Sequence, residues 1–155
     1  MVIAVAMFYL IAQNLLLTNQ HLYQFVRYGS PRTWTDAIYS LSERLGGMRA
    51  SPIVIDDWGM HGPLALLQRG RLSMIIVDKE FLLPSFNEAQ RNYDRALLET
   101  GLWVGHTPAH EEIVGTSASI VQAAALEGFR KELIEVVSDR QGRAVFEIFR
   151  FREAH

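Results

Sequence analysis

The chain contains no cysteine among its 155 residues. This absence excludes a disulfide framework, a zinc site built from thiolates and a cysteine nucleophile. It does not fix the compartment, because many exported proteins fold without disulfides.

Basic residues are neither in excess nor clustered. Lys and Arg total 15 against 17 Asp and Glu, which gives a formal net charge of −2. A nucleic-acid-binding surface needs a concentrated positive patch, so the sequence predicts no nucleic acid partner. The hydrophobic content of 49% and the charged content of 21% are ordinary for a globular chain of this length.

Several cofactor and catalytic motifs are also missing. The chain has no Gly-x-x-x-x-Gly-Lys-Ser/Thr phosphate loop and no Gly-x-Gly-x-x-Gly after a predicted strand. No serine lies in a glycine-flanked elbow of the kind that hydrolases use. The sequence therefore predicts no nucleotide cofactor and gives little support to hydrolase chemistry, and no other cofactor is predicted.

Charge is absent from the first 26 residues, where no Asp, Glu, Lys or Arg precedes Arg27. Residues 2–17 are apolar on every helical face except at Gln13 and Asn14, unlike an amphipathic surface helix. We predict that residues 1–27 form an apolar helix in or beside a membrane, because a span needs roughly 20 mostly apolar residues. The alternative is a buried N-terminal helix of a soluble protein.

Residues 28–155 have the composition of a soluble α/β domain. Ser30 and Pro31 are typical of a helix start, and apolar residues then recur every three or four positions through Trp34, Ile38, Leu41 and Leu45. Three short apolar strands are predicted at 53–55, 72–77 and 102–105, helices at 64–67, 85–100 and 117–127, and a C-terminal hairpin at 131–138 and 143–152. We expect a mainly parallel sheet with flanking helices and a C-terminal antiparallel β-hairpin.

Acidic and histidine residues follow the predicted strands. Asp56, Asp57, Asp78 and His106 each come directly after a strand, and His61 lies close by in the sequence. Ligands of parallel sheets bind beyond the carboxyl ends of the strands, so these five residues are candidate ligand-binding residues. In the alternative interpretation the same residues build a structural turn, with Asp57 capping the helix near His61.

The stretch HTPAHEE, from His106 to Glu112, has the residue types of a metal site. Two histidines four residues apart bind one metal only on an unbroken helix, and Pro108 interrupts it. Glu111 and Glu112 are expected in the first turn of a helix, where the macrodipole favours acids. The sequence predicts no metal site.

Four stretches occur in an order that resembles a known family. They are TWTDAIYSLSERL, PIVIDDWGMHGPLALLQRGRL, GLWVGHTPAHEEIVG and DRQGRAVFEIFRFR, and they cover most of the chain from Trp34 to Arg152. Together they resemble the C-terminal end of bacterial membrane glycosyltransferases of family 39, relatives of the dolichyl-phosphate-mannose protein mannosyltransferases. The marks are the acid-Trp-Gly after the first strand, Arg69-Gly70, His106-Thr107 and the closing Asp-Arg-x-Gly-Arg hairpin.

This resemblance implies the C-terminal part of a longer polytopic protein that takes a sugar from a polyprenyl-phosphate carrier. The family carries its catalytic acid on a loop near the N-terminus, so no catalytic role passes to Asp56 or Asp57. The resemblance also implies the bacterial inner membrane, with the soluble part periplasmic or extracellular. Two functions stay open: a non-catalytic accessory domain that assists acceptor or carrier binding, and an independent small-ligand-binding α/β module that uses the strand-end Asp/His cluster.

Overall fold

A computed structural model describes residues 2–28, 35–48, 52–57, 59–77, 80–82 and 87–154. The chain divides into two compact units, Met1–Pro31 and Arg32–His155. The first unit contains helix α1 (Val2–Tyr28), which bears large exposed apolar side chains such as Phe8 and Leu16. Within the described residues, no helix combines the length and the hydropathy that crossing a bilayer requires.

The second unit contains the remaining helices and all described strands. The helices are α2 (Ala37–Gly47), α3 (His61–Leu67), α4 (Glu88–Thr100) and α5 (Thr116–Leu126). The strands are β1 (Ile53–Ile55), β2 (Met74–Ile76), β3 (Leu102–His106), β4 (Phe129–Ser138) and β5 (Ala144–Glu153). Trp34, predicted to open the first helix of this unit, lies outside the described residues.

The strands form a five-stranded sheet in the order β2-β1-β3-β5-β4. Strand β1 pairs in parallel with β2 and with β3, as the intervening helices predict. Strand β5 pairs antiparallel with β3 and with β4. The sheet is therefore mixed rather than mainly parallel, because the C-terminal hairpin joins the sheet at β3 through an antiparallel ladder. The α/β class and the hairpin are confirmed.

Helices cover both faces of the sheet, and each face has its own apolar core. One core includes Ile53, Ile55, Leu102, Val104, Phe146 and Ile148 together with buried residues of α2 and α3. The other includes Val54, Trp103, Phe149 and Phe151 together with buried residues of α4 and α5. The alternation of side chains along a strand divides neighbouring residues between the two cores.

Helix α4 shows one wrong sequence prediction. Leu97 and Leu98 are buried as expected, but Tyr93 is 49% exposed. The helix instead buries Asp94, whose carboxylate accepts hydrogen bonds from the Leu82 amide at 3.2 Å and the Gln90 side chain at 2.8 Å. Phe86, also predicted on the inner face, lies outside the described residues.

Candidate functional site

Three of the five candidate residues lie at neighbouring strand ends. Asp56 and Asp57 follow β1, and His106 ends β3, its parallel partner. His61 begins α3 and is half-buried. Asp78 lies outside the described residues.

Asp57 and His106 form a buried pair. Asp57 Oδ2 lies 2.8 Å from His106 Nδ1, and both side chains are at most 3% exposed. The same oxygen accepts the Glu112 amide at 2.9 Å, and the His106 ring packs against Phe146 with 4.8 Å between centroids. A carboxylate on Nδ1 fixes the orientation of the imidazole and leaves Nε2 as the nitrogen available to a ligand.

Asp57 does not cap α3, contrary to the structural-turn interpretation. Met60 is the residue before that helix, and its side chain makes no capping hydrogen bond. The carboxylate of Asp57 instead ties the end of β1 to β3 and to the following loop at Glu112. Asp57 therefore makes long-range connections between β1, β3 and the loop at Glu112.

Asp56 is fully buried, and neither of its carboxylate oxygens has a hydrogen-bond partner in the described part of the chain. The pKa of Asp56 is raised to about 8, mainly by burial, and the charges of Asp57 and Glu111 contribute to the rise. Lys131 opposes this effect, as does the neighbouring Ser117 side chain, although Ser117 forms no well-aligned hydrogen bond with the carboxylate. A buried polar group without a partner is rare in proteins and calls for an explanation.

Gly105 on β3 provides the space that Asp56 occupies. A Cβ at position 105 would lie 2.2 Å from Asp56 Oδ1 and 2.5 Å from Oδ2. No side chain larger than hydrogen fits between the two strands at this position while Asp56 keeps its conformation. The carboxylate is therefore held directly against the backbone of β3.

The sheet separates Asp56 from His106. Gly105 lies on the same face as Trp103, two residues earlier, so Asp56 faces the core of α4 and α5. His106 lies two residues after Val104, on the face of α2 and α3. The predicted cluster therefore has two parts, both at the carboxyl ends of β1 and β3. Asp57 is close to both parts, because it binds His106 and its charge acts on Asp56.

Three further charged residues lie near the carboxyl ends of these strands. Glu111 is buried and accepts the Gly115 and Ser117 amides at 2.7 and 3.1 Å, which satisfies the start of α5 from the preceding loop. Lys131 on β4 and Glu147 on β5 form a half-buried ion pair at 2.5 Å. The sequence prediction missed all three roles, because they depend on strand register and long-range packing.

The HTPAHEE stretch does not form a helix of metal ligands. Thr107 Oγ1 lies 3.0 Å from His110 Nδ1, and α5 begins only at Thr116. Glu111 and Glu112 therefore precede the helix, contrary to the expectation that they form its first turn. Among the described residues, no three His, Cys, Asp or Glu side chains are arranged to hold a metal ion.

Comparisons of the chain with protein families, with curated proteins and with solved structures find no match. The resemblance to membrane glycosyltransferases therefore remains a prediction.

Proposed function

We propose that this chain is a small-ligand-binding α/β module whose site lies beyond the carboxyl ends of β1 and β3. The observation that carries the proposal is the buried carboxyl group of Asp56, which has no hydrogen-bond partner in the described residues. A fully buried group of this kind costs free energy in the empty protein. A ligand that supplies the missing donors would recover that free energy on binding.

The ligand class follows from the charge of the site. Asp57 and Glu111 are buried acids within electrostatic range of Asp56, while Lys131 already pairs with Glu147. Hydrogen-bond donors therefore suit this edge better than another anion. Amines and polyhydroxylated molecules are the ligand classes that we expect.

The Asp57 and His106 pair has a positioning role in this proposal. Because Asp57 binds Nδ1, the imidazole presents Nε2 in one orientation, where it can accept or donate one hydrogen bond to a bound molecule. His106 and Asp56 lie on opposite faces of the sheet, so a ligand that contacts both must extend over the ends of β1 and β3. No catalytic step is proposed.

Saturation-transfer NMR with a panel of single compounds tests this proposal. The panel contains ethanolamine, spermidine, glucose, mannose and inositol, each added to the full chain and to the variants Asp56→Asn, His106→Gln and Asp36→Asn. At least one compound should give a signal that Asp56→Asn removes and that His106→Gln weakens. The Asp36→Asn variant should keep it, because the Asp36 carboxylate pairs with the exposed Arg140 and, in the described part of the chain, forms no hydrogen bond or ion pair with Asp56, Asp57 or His106.

No signal with any compound, or a signal equal in the wild-type protein and in Asp56→Asn, would contradict this ligand class at Asp56. Circular dichroism of each variant distinguishes loss of binding from loss of fold.

A second candidate function rests on α1. Large apolar side chains such as Phe8, Leu16 and Val26 are exposed on this helix, and the sequence has no charge before Arg27. Such a surface suits contact with lipid or with apolar protein segments. We propose as the alternative a non-catalytic extracytoplasmic domain of a polyprenyl-phosphate-sugar-dependent membrane glycosyltransferase that assists acceptor or carrier binding.

Liposome flotation of the full chain tests this alternative. The wild-type chain should float with phosphatidylglycerol and phosphatidylethanolamine vesicles, and Leu16→Glu should reduce the floating fraction, while Leu126→Glu, at an exposed position of α5, should not. The purified chain should transfer no sugar from a polyprenyl-phosphate donor above a no-enzyme blank. A chain that stays at the bottom of the gradient, or that turns over donor, would contradict the alternative.

A further inference from the structure

A cleft of about 470 Å³ lies on the second unit, at the end of the sheet opposite to Asp56. Apolar Leu102, Leu133 and Ile134 and charged Glu132, Arg150 and Arg152 contribute to its lining. Leu102 is the first residue of β3, so the cleft lies at the amino end of the parallel strands, whereas Asp56 and His106 lie at the carboxyl end. The volume is within the range of roughly 300–1,000 Å³ that is usual for small-molecule sites.

Positive charge exceeds negative charge on this part of the sheet. The β4 and β5 register places Glu132 opposite Arg150 and Arg130 opposite Arg152, all on one face. Glu132, the one acid among these four residues, accepts a hydrogen bond from Arg152 Nε at 2.9 Å. Arg130 and Arg150 are exposed, and neither makes an ion pair within the described part of the chain.

A further ion pair lies near this surface. Arg44 on α2 lies 3.2 Å from Glu135 on β4. The surplus at the cleft is therefore Arg150 itself, with Arg130 beside it. A guanidinium group has a planar set of donors that matches carboxylate and phosphate oxygens.

Next to the arginines the cleft has an apolar wall. Leu133 is 51% exposed and Ile134 is 46% exposed. The register between β4 and β5 shifts between Leu133 and Glu135, so Ile134 has no directly paired residue on β5. Such a bulge changes the direction of its side chains, and here two consecutive apolar residues line the same cleft.

We infer that this cleft binds an amphiphilic anion, with its carboxylate or phosphate group on Arg150 and Arg152 and its apolar chain on Leu133 and Ile134. Charge complementarity selects the head group, and the exposed leucine and isoleucine select the chain. Binding would exchange exposed apolar surface for contact with the chain and would give Arg150 an anionic partner. The site is separate from Asp56, so its failure would leave the proposed strand-end function untouched.

Isothermal titration of the full chain with three probes tests the inference. Decyl phosphate carries both features, decyl maltoside carries the chain without the charge, and inorganic phosphate carries the charge without the chain. All amphiphile concentrations stay below the critical micelle concentration. Decyl phosphate should bind at least roughly tenfold more tightly than either of the other probes, since charge-assisted contacts and chain burial act together.

Variants locate the binding. Arg150→Gln should weaken decyl phosphate binding roughly tenfold, and Leu133→Ser should weaken it several-fold, because each removes one of the two contacts. Arg150→Lys should retain part of the affinity. The matched control is Arg71→Gln, an exposed arginine outside the cleft whose side chain donates to the Gln68 carbonyl; it should bind like the wild type.

Three results would overturn the inference: no binding of decyl phosphate, equal affinity for decyl maltoside, or an affinity that both Arg150→Gln and Leu133→Ser leave unchanged. The last result would place the binding elsewhere, for example on the exposed apolar residues of α1. If circular dichroism shows that Arg150→Gln does not fold, the affinities of Arg150→Lys and Leu133→Ser for decyl phosphate test whether binding occurs at the cleft.

Discussion

Two buried aspartates of this protein have opposite environments. Asp139, in the turn between β4 and β5, is 7% exposed, and its carboxylate accepts the Gln141 and Arg143 amides at 3.0 and 2.9 Å. It also binds Arg143 Nε at 2.6 Å. Asp56 is fully buried and has no hydrogen-bond partner among the described residues.

The two pKa shifts have opposite directions for this reason. Burial alone would raise the pKa of Asp139, but the hydrogen bonds and the charge of Arg143 hold that pKa below its ordinary value. Burial raises the pKa of Asp56 to about 8, because too few donors oppose it. The donors around Asp139 lower its pKa, whereas Asp56 lacks such donors and burial raises its pKa.

The largest expected effect is the pH dependence of Asp56→Asn. Between the ordinary value of 3.8 and about 8, folded Asp56 holds a proton that the unfolded chain has released. Raising the pH therefore favours unfolding, and this group lowers stability by up to about 1.4 kcal/mol per pH unit across that window. Asp56→Asn should remove this loss.

Urea unfolding of the two proteins from pH 4 to pH 9 measures the difference. The wild-type free energy of unfolding should fall relative to the variant as pH rises, and the two curves should run parallel above about pH 8. Parallel curves throughout the range would show that the Asp56 carboxyl group has hydrogen-bond partners in solution, as Asp139 does, and would contradict the difference between the two aspartates.

The second effect is steric and concerns Gly105→Ala. The new Cβ would lie 2.2 Å from Asp56 Oδ1, so the aspartate or the strand must move, at a cost of about 1–3 kcal/mol or more. Gly62→Ala is the control, because a Cβ there meets nothing within 4 Å. Thermal melts should show a large loss for the first variant and little change for the second.

A double variant sharpens this result. Adding Asp56→Ala to Gly105→Ala removes the clashing atoms and should restore most of the lost stability, so the two changes should be strongly non-additive. Additive losses would place the cause of the Gly105→Ala effect somewhere other than Asp56.

Asp139→Ala should destabilise the protein by about 1–3 kcal/mol, because it leaves the Gln141 and Arg143 amides without their acceptor. Its pKa is depressed, so the stability that it provides is present above the ordinary aspartate range and is lost as pH falls below it. Chemical unfolding at pH 7 and at pH 3 measures both points: the gap between wild type and variant should shrink at the lower pH. A constant gap would contradict the linkage.

The smallest effect is expected at Asp36, whose carboxylate pairs with Arg140 Nε at 3.1 Å on the surface. Arg140 is 88% exposed, so water screens the pair, and Asp36→Asn should cost less than about 1 kcal/mol. Salt titration of the melting temperature checks this: the difference between the two proteins should vanish by about 1 M salt. A loss as large as that of Asp139→Ala would show that exposure does not rank these aspartates.

Strand positions were predictable because their signals are local. The short apolar run of β1 matched its prediction, and the alternation along the last strand fitted its two buried faces. The turn at 139–142 followed from its residue types, and Asp139 accepts the amides that such a turn leaves unpaired.

The site was only partly predictable, for reasons of register. The sequence placed Asp56 and His106 together at strand ends but assigned them to no face. The parallel pairing of Ile55 with Val104 and the alternation of side chains put them on opposite faces of the sheet. The helix α4 prediction failed at Tyr93 because Asp94 takes the inner position to bind the distant Leu82 amide. Such contacts join residues far apart in the sequence, where no periodic pattern records them.

The contact between Gly105 and Asp56 also has an evolutionary consequence. A chain that keeps the aspartate must keep glycine at the facing position, whereas a chain with a smaller residue at 56 is free to carry alanine or serine at 105. In a set of related sequences the two positions should therefore vary together, and glycine at 105 should mark the members that retain the acid.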